Sequence, residues 1–154
     1  MTIPRRDWAA ALAVLPAQDL VAAAEAIAAT CLVRDLVLPQ SGLALVTLRD
    51  GAFHEPFHLG EVPVARAQVL LRAPDGREAG GGAVLLDDRS NIARAVAILD
   101  GALAGQLPGW ETVAALVERG STARAQTLAE YQHLLASTRV DFSLLGQPGE
   151  DDDE

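Results

Sequence analysis

The segment Phe53-His54-Glu55-Pro56-Phe57-His58-Leu59-Gly60-Glu61-Val62-Pro63-Val64-Ala65-Arg66 holds the residues of this chain best suited to do chemistry. His54, Glu55 and His58 fit the pattern H-E-x-x-H, in which two histidines one helical turn apart bind zinc and the glutamate activates the metal-bound water. That chemistry needs a helix, because only there do positions i and i+4 share a face. Pro56 lies between the two histidines, with Gly51 before them and Gly60 and Pro63 after. In a helix interior proline removes a donor and clashes with the preceding turn, at a cost of roughly 3 kcal/mol. It also pushes Glu55 toward extended geometry. The longer zinc-protease pattern needs a glycine three residues after the second histidine, whereas Gly60 comes two after. A stand-alone metal hydrolase using His54, Glu55 and His58 is therefore the alternative reading. The main expectation is a turn that leads into a strand.

Other groups are weaker candidates. Gly80-Gly81-Gly82 could bring backbone donors close to a phosphate. It lacks the Lys-Ser/Thr ending of a phosphate loop and precedes a strand, so close backbone packing or a bulge is expected instead. His133 has no second ligand at helical spacing and reads as a surface histidine. Glu61 and Arg66 stand in or beside an apolar strand, where charge is costly unless paired. Five positions apart, they face opposite sides of a regular strand. Arg139 and Asp141 share a strand face and could pair. Cys31 is the only cysteine and, beside Leu32 and Val33, reads as a buried apolar residue. No nucleophile and base constellation stands out.

The elements that must position these residues alternate in type along the chain. Trp8, Ala11, Leu12 and Leu15 predict a short helix ended by Pro16, and Leu20, Ala24, Ile27 and Cys31 repeat the spacing in a second. Leu32 to Leu38 and Leu43 to Leu48 read as two strands around a Pro39-Gln40-Ser41-Gly42 turn, followed by Asp50-Gly51. A further strand from about Glu61 to Arg72 meets Pro74-Asp75-Gly76, a hairpin signal, and Arg77 to Leu86 returns. Asp87 or Asp88 is expected to cap a helix striped by Ile92, Val96, Leu99 and Leu103, with Gly105 and Pro108 as stops. Trp110 to Val117 continues as helix, is expected to break near Gly120 and Ser121, and resumes through Leu128, Tyr131 and Leu135. Thr138 to Leu145 alternates like a strand. The fold expected is α+β: an antiparallel sheet of about four to five strands, with an N-terminal helical pair and C-terminal helices packed on it. One domain over residues 1–145 and an acidic, disordered tail over 146–154 follow.

Bulk properties narrow the function. A chain of 154 residues can bury a core without disulfides or structural metal. The net charge is −9, of which the five carboxylates of Glu150-Asp151-Asp152-Asp153-Glu154 supply more than half. Nucleic-acid binding is disfavoured, since it normally shows a basic face. No apolar run reaches membrane-spanning length, and the short Ala9 to Leu15 stretch does not make a secretory signal, so a cytoplasmic, reducing location is expected. All 12 basic residues are arginine, which with so much alanine fits genomic base composition.

In order, Ser41-Gly42-Leu43-Ala44-Leu45-Val46, Phe57 to Arg66, Gly81 to Arg89, Ala95 to Leu103 and Ser137-Thr138-Arg139-Val140-Asp141-Phe142 resemble PhnG, the G subunit of the bacterial carbon-phosphorus lyase system. The most specific pieces are F-x-L-G-E-x-x-V-x-R and T-R-V-D-F, and the resemblance covers most of residues 8 to 145. Phe57, Leu59, Gly60, Glu61, Arg66, Arg139, Asp141 and Phe142 keep the family pattern and are the candidates for an interface or a shared site. His58 stands for the usual Asn, Ala65 for Thr, Ala67 for Cys, Asp87 for Gly and Ser143 for Phe, and Ser90-Asn91-Ile92 replaces a more polar stretch that often includes His.

The resemblance implies a subunit rather than a lone catalyst, working with PhnI, PhnH and PhnJ type partners. In that system an alkylphosphonate is joined to the ribose of ATP with release of adenine, giving ribose 1-alkylphosphonate 5-triphosphate. Catalysis is assigned to the I subunit, and radical cleavage to the iron-sulfur cluster of PhnJ. The resemblance thus implies a transferase complex whose ATP and alkylphosphonate are handled by the assembly, with no cofactor in this chain. A small-ligand or structural module sharing the fold alone is the other alternative. The sequence leaves open whether the isolated chain is a monomer or a homodimer.

Overall fold

A computed structural model describes residues 3–137. After a short 3-10 turn at Arg5–Asp7 come helices α1 (Trp8–Ala13) and α2 (Ala17–Ala28) and strands β1 (Leu32–Arg49), β2 (Pro56–Arg72) and β3 (Glu78–Leu85). Helices α3 (Ser90–Ala104) and α4 (Trp110–Ser137) follow. The chain divides into a compact unit through Arg124 and a second beginning at Ala125. In the second, the helical residues Leu128, Tyr131, Leu134 and Leu135 are exposed.

The α+β class and the N-terminal helical pair are as expected, with Ala11, Leu12, Leu20, Ala24 and Ile27 buried on the anticipated faces. Among the described residues the sheet has three strands in the order β1-β2-β3, all antiparallel, instead of four or five. Two expected strands are one. The predicted turn at Pro39 to Gly42 lies inside β1, where the register jumps from Val37 opposite Gln68 to Gln40 opposite Arg66. Leu38 and Pro39 are thus left outside the ladder, on an edge strand, which is where a residue without a donor is tolerated. Strand β2 starts earlier than expected, with Pro56 as its first residue, again a position with no ladder bond to lose.

The Pro74-Asp75-Gly76 hairpin forms as read: Gly76 takes φ +89° and its N–H donates to the Ala73 carbonyl at 3.0 Å. Neither Asp87 nor Asp88 is the cap of α3. Arg89 occupies that position, and Asp87 instead accepts the Arg89 N–H at 2.7 Å. Helix α4 is not interrupted at Gly120. A side chain there would overlap the Ala11 carbonyl, so glycine is the residue that lets α4 lie directly on α1. The expected strand over 138–145, and with it Arg139, Asp141, Phe142 and the tail 146–154, lies outside the described residues.

The core is one-sided. Val33, Asp35, Ala65, Ala67, Val69, Leu71, Ala79, Ala83 and Leu85 share the sheet face that meets α3. Helix α3 is buried along its length, with the sheet on one side and α2 on the other. Contact with β3 is backbone on backbone: a Cβ at Gly81 would overlap the Ala97 carbonyl oxygen and lie 2.5 Å from the Gly101 nitrogen. The triple glycine therefore serves close packing, as expected, rather than a phosphate. Gly81→Ala should destabilise the protein by about 3 kcal/mol through overpacking. Gly80→Ala, where an added Cβ meets nothing within 4 Å, should change little. Thermal unfolding of both variants checks the contrast, and a Gly81→Ala protein that melts like the wild type would refute the packing account.

Candidate functional site

The first five family-pattern residues all lie on β2, and strand pairing decides which way each points. Ladder partners run without a shift from Gly60 opposite Val46 to Arg66 opposite Gln40, so Glu61 and Arg66 fall on opposite faces as expected. Glu61 stands opposite Leu45 on the face that carries Ala65, beyond the reach of the buried core. Arg66 is on the other face, where its guanidinium donates a long 3.5 Å bond to the Gln40 side chain.

Beyond Ala65, β2 has no β3 partner, so Ser41–Arg49 and Pro56–Val64 form a two-stranded ribbon about 25 Å long at roughly 3.3 Å per residue. Leu43, Leu45, Phe57 and Leu59 on it are exposed. Gly60 has φ +145° where the register slips, Val46 pairing with Gly60 and Thr47 with His58, which leaves Leu59 as the extra residue of a bulge. That φ favours glycine, which gives the family glycine a backbone reason. At the far end Asp50 accepts N–H groups from Ala52 and Phe53 at 3.1 and 2.8 Å. These backbone donors hold its carboxyl below the usual carboxylate range.

His54, Glu55 and His58 are not on a helix. His54 sits in the turn with φ 58°, Glu55 precedes the strand, and His58 lies within β2, its Nδ1 3.1 Å from the Thr47 hydroxyl. The stand-alone hydrolase reading loses the geometry it requires, because Pro56 begins a strand. Among the described residues no three His, Cys, Asp or Glu side chains gather as a metal-binding set. Ala65 and Ala67, at positions where the family usually has Thr and Cys, are fully buried against α3. There they act as small packing residues.

Charged networks that the sequence reading did not single out turn out to hold the unit together. Asp100, the buried charged residue of α3, accepts Arg5 Nε at 3.1 Å, Arg5 Nη2 at 2.7 Å and the Gly82 N–H at 3.0 Å. The signal available was an acid inside an otherwise apolar helical stripe, which demands partners. Arg94 of α3 donates to Asp35 of β1 at 2.8 and 3.3 Å, and Arg119 of α4 to Asp19 of α2 at 2.6 Å. Where α3 begins, a cleft of about 440 Å³ opens beside α1, with Arg6, Ala9, Ala13, Leu86, Asp87 and Arg89 among its lining.

A family model for the phosphonate metabolism protein PhnG matches residues 3–146. The chain belongs to the PhnG family. It therefore has a role in phosphonate metabolism. Comparison with curated proteins gave no match. In this family member the specific motif of β2 is divided between an exposed ribbon and the back of the sheet, not gathered around a cavity. Among the described residues, no helix is long and apolar enough to cross a membrane.

Asp87, which stands where the family usually has glycine, is bound by the Arg89 guanidinium and then by the Arg89 N–H, which lower its carboxyl from 3.8 to about 2. A folded-state value below the unfolded one means that this contact stabilises the start of α3 above pH 3.8 and that its contribution fades as pH falls toward 2. An NMR titration should place Asp87 near 2 in the wild type and, once its main partner is removed in Arg89→Ala, closer to 3.8. Equal midpoints in the two proteins would contradict the assignment.

Proposed function

We propose that this chain is an accessory subunit of the carbon-phosphorus lyase complex in alkylphosphonate catabolism. In this reading it supports the formation of ribose 1-alkylphosphonate 5-triphosphate from ATP and a phosphonate, with release of adenine, while catalysis resides in a PhnI type partner. The observation that carries the proposal is the ribbon. A two-stranded hairpin is marginal in water on its own, yet this one continues well past the core and carries Leu43, Leu45 and Leu59 uncovered along with the family motif. Apolar surface on an arm of this kind is suited to burial against another chain. The ion pairs described above tie Asp19, Asp35, Asp87 and Asp100 to arginines that hold the elements of the compact unit in place, which fits a structural role for these groups.

Co-expression with PhnI, PhnH and PhnJ type subunits, followed by size-exclusion chromatography, tests the proposal. The chain should co-elute with at least one of them, and Leu45→Asp, which charges the exposed ribbon without touching the core, should weaken that association tenfold or more. A wild-type chain that elutes apart from all three would count decisively against the reading.

A further inference from the structure

Within the compact unit, and among the described residues, helices cover one face of the sheet only, and the opposite face combines apolar and charged residues. By register, Leu32, Arg34, Val37, Gln40, Arg66, Gln68, Leu70, Arg72, Glu78 and Val84 belong to it. Leu32 and Val84 are 70% and 69% exposed. Arg72 is neutralised by Glu78 at 2.7 Å. The Arg34 side chain makes no ion pair or hydrogen bond among the described residues, and the Arg66 side chain has only the 3.5 Å contact with Gln40. A protein of net charge −9 thus presents two unneutralised guanidiniums on a single surface that also carries Leu32, Leu70 and Val84. Between the strands that surface is concave, a hollow of about 280 Å³ lined by Val37, Arg66, Gln68, Gly82 and Val84. It is concave there because Gly82 carries no side chain across the pair from Gln68.

We infer that this back face of the sheet is a docking surface for a partner protein that brings carboxylates, set among apolar side chains, onto Arg34 and Arg66. Charge selects this occupant. A second copy meeting the face about a two-fold axis would set the same patch against itself and oppose arginine to arginine. An acidic partner instead supplies what the guanidiniums lack, and arginine suits paired recognition of carboxylates. The apolar residues that span the three strands call for a surface rather than a small anion, which would leave Leu32 and Val84 in water. The inference rests on the subunit reading above and extends it to a second surface, separate from the ribbon.

The test measures apparent Kd against whichever purified PhnI, PhnH or PhnJ type subunit co-elutes with the wild type. Arg34→Glu and Arg66→Glu should each weaken binding about tenfold, and Val84→Asp should do the same through the apolar part of the surface. Arg6→Glu, on the helical side of the molecule, alters net charge equally and should leave binding within twofold. Wild-type affinity should fall as NaCl is raised. All four positions are exposed or edge residues, and unchanged thermal melts confirm that the variants fold. If the wild type co-elutes with no subunit, the subunit reading and this inference fall together. If it co-elutes and the three face variants bind like the wild type, or Arg6→Glu is equally impaired, only the docking face is overturned. Loss of self-association with partner binding kept would assign the face to a second copy and refute it. So would binding of inorganic phosphate that depends on Arg34 and Arg66 while the partner binds undisturbed.

Discussion

The backbone contact between β3 and α3 is the constraint on which the rest of the unit depends. Because Gly81 and Gly101 lack side chains, the helix sits close enough for Asp100 to accept the Gly82 N–H while also receiving Arg5. One buried carboxylate thereby fixes the helix, the strand and the N-terminal turn relative to each other. A buried charge with fewer partners would be a liability, whereas three charge-assisted donors satisfy it. On the same sheet face β2 contributes Ala65 and Ala67 beside Val69 and Leu71, all fully buried, so small and large side chains together fill the space under α3.

Within the compact unit, packing the helices on one side of the sheet has a consequence for the strands. A single layer of helices covers only the portion of sheet that α3 can span, roughly 1.5 Å per residue along its axis, while β1 and β2 extend 18 and 17 residues. Their outer halves therefore leave the core and must be held by local devices. The Asp50 turn closes the end, the Thr47 and His58 pair crosses the strands, and the Gly60 bulge adds the twist that irregular ladders introduce. None of these buries apolar surface, so Leu43, Leu45 and Leu59 stay in water in the free chain.

Helix positions were the most legible part of the sequence, because α1, α2 and α3 each show apolar spacing of a single period and end at Pro16, at the residues before Cys31 or at Gly105. The Pro74-Asp75-Gly76 hairpin was equally plain, since its glycine must adopt positive φ. What misled was punctuation whose meaning depends on neighbours. Pro39 reads as a turn unless it is known to lie on an edge with a bulge to absorb it, and Gly120 reads as a break unless Ala11 is known to press on it. Both facts are tertiary. The candidate site was legible in part: the opposite facing of Glu61 and Arg66 follows from strand parity alone. That Arg66 shares a surface with Arg34, 32 positions earlier in the chain, required the register of β1 against β2.

The distribution of charge then argues for what kind of work the fold does. A catalytic site needs polar groups that converge, out of water, with spare bonding capacity. In the compact unit Asp19, Asp35, Asp75, Asp87 and Asp100 are each tied to an arginine. On the sheet, Arg34, Arg66 and Glu61 make no ion pair among the described residues and are exposed, divided between its two faces. Residues arranged in that way cannot act together on one small substrate. In the proposed subunit role they act on surfaces, and a sheet face left uncovered among the described residues, with a projecting ribbon, gives two meeting places without disturbing the core that holds them.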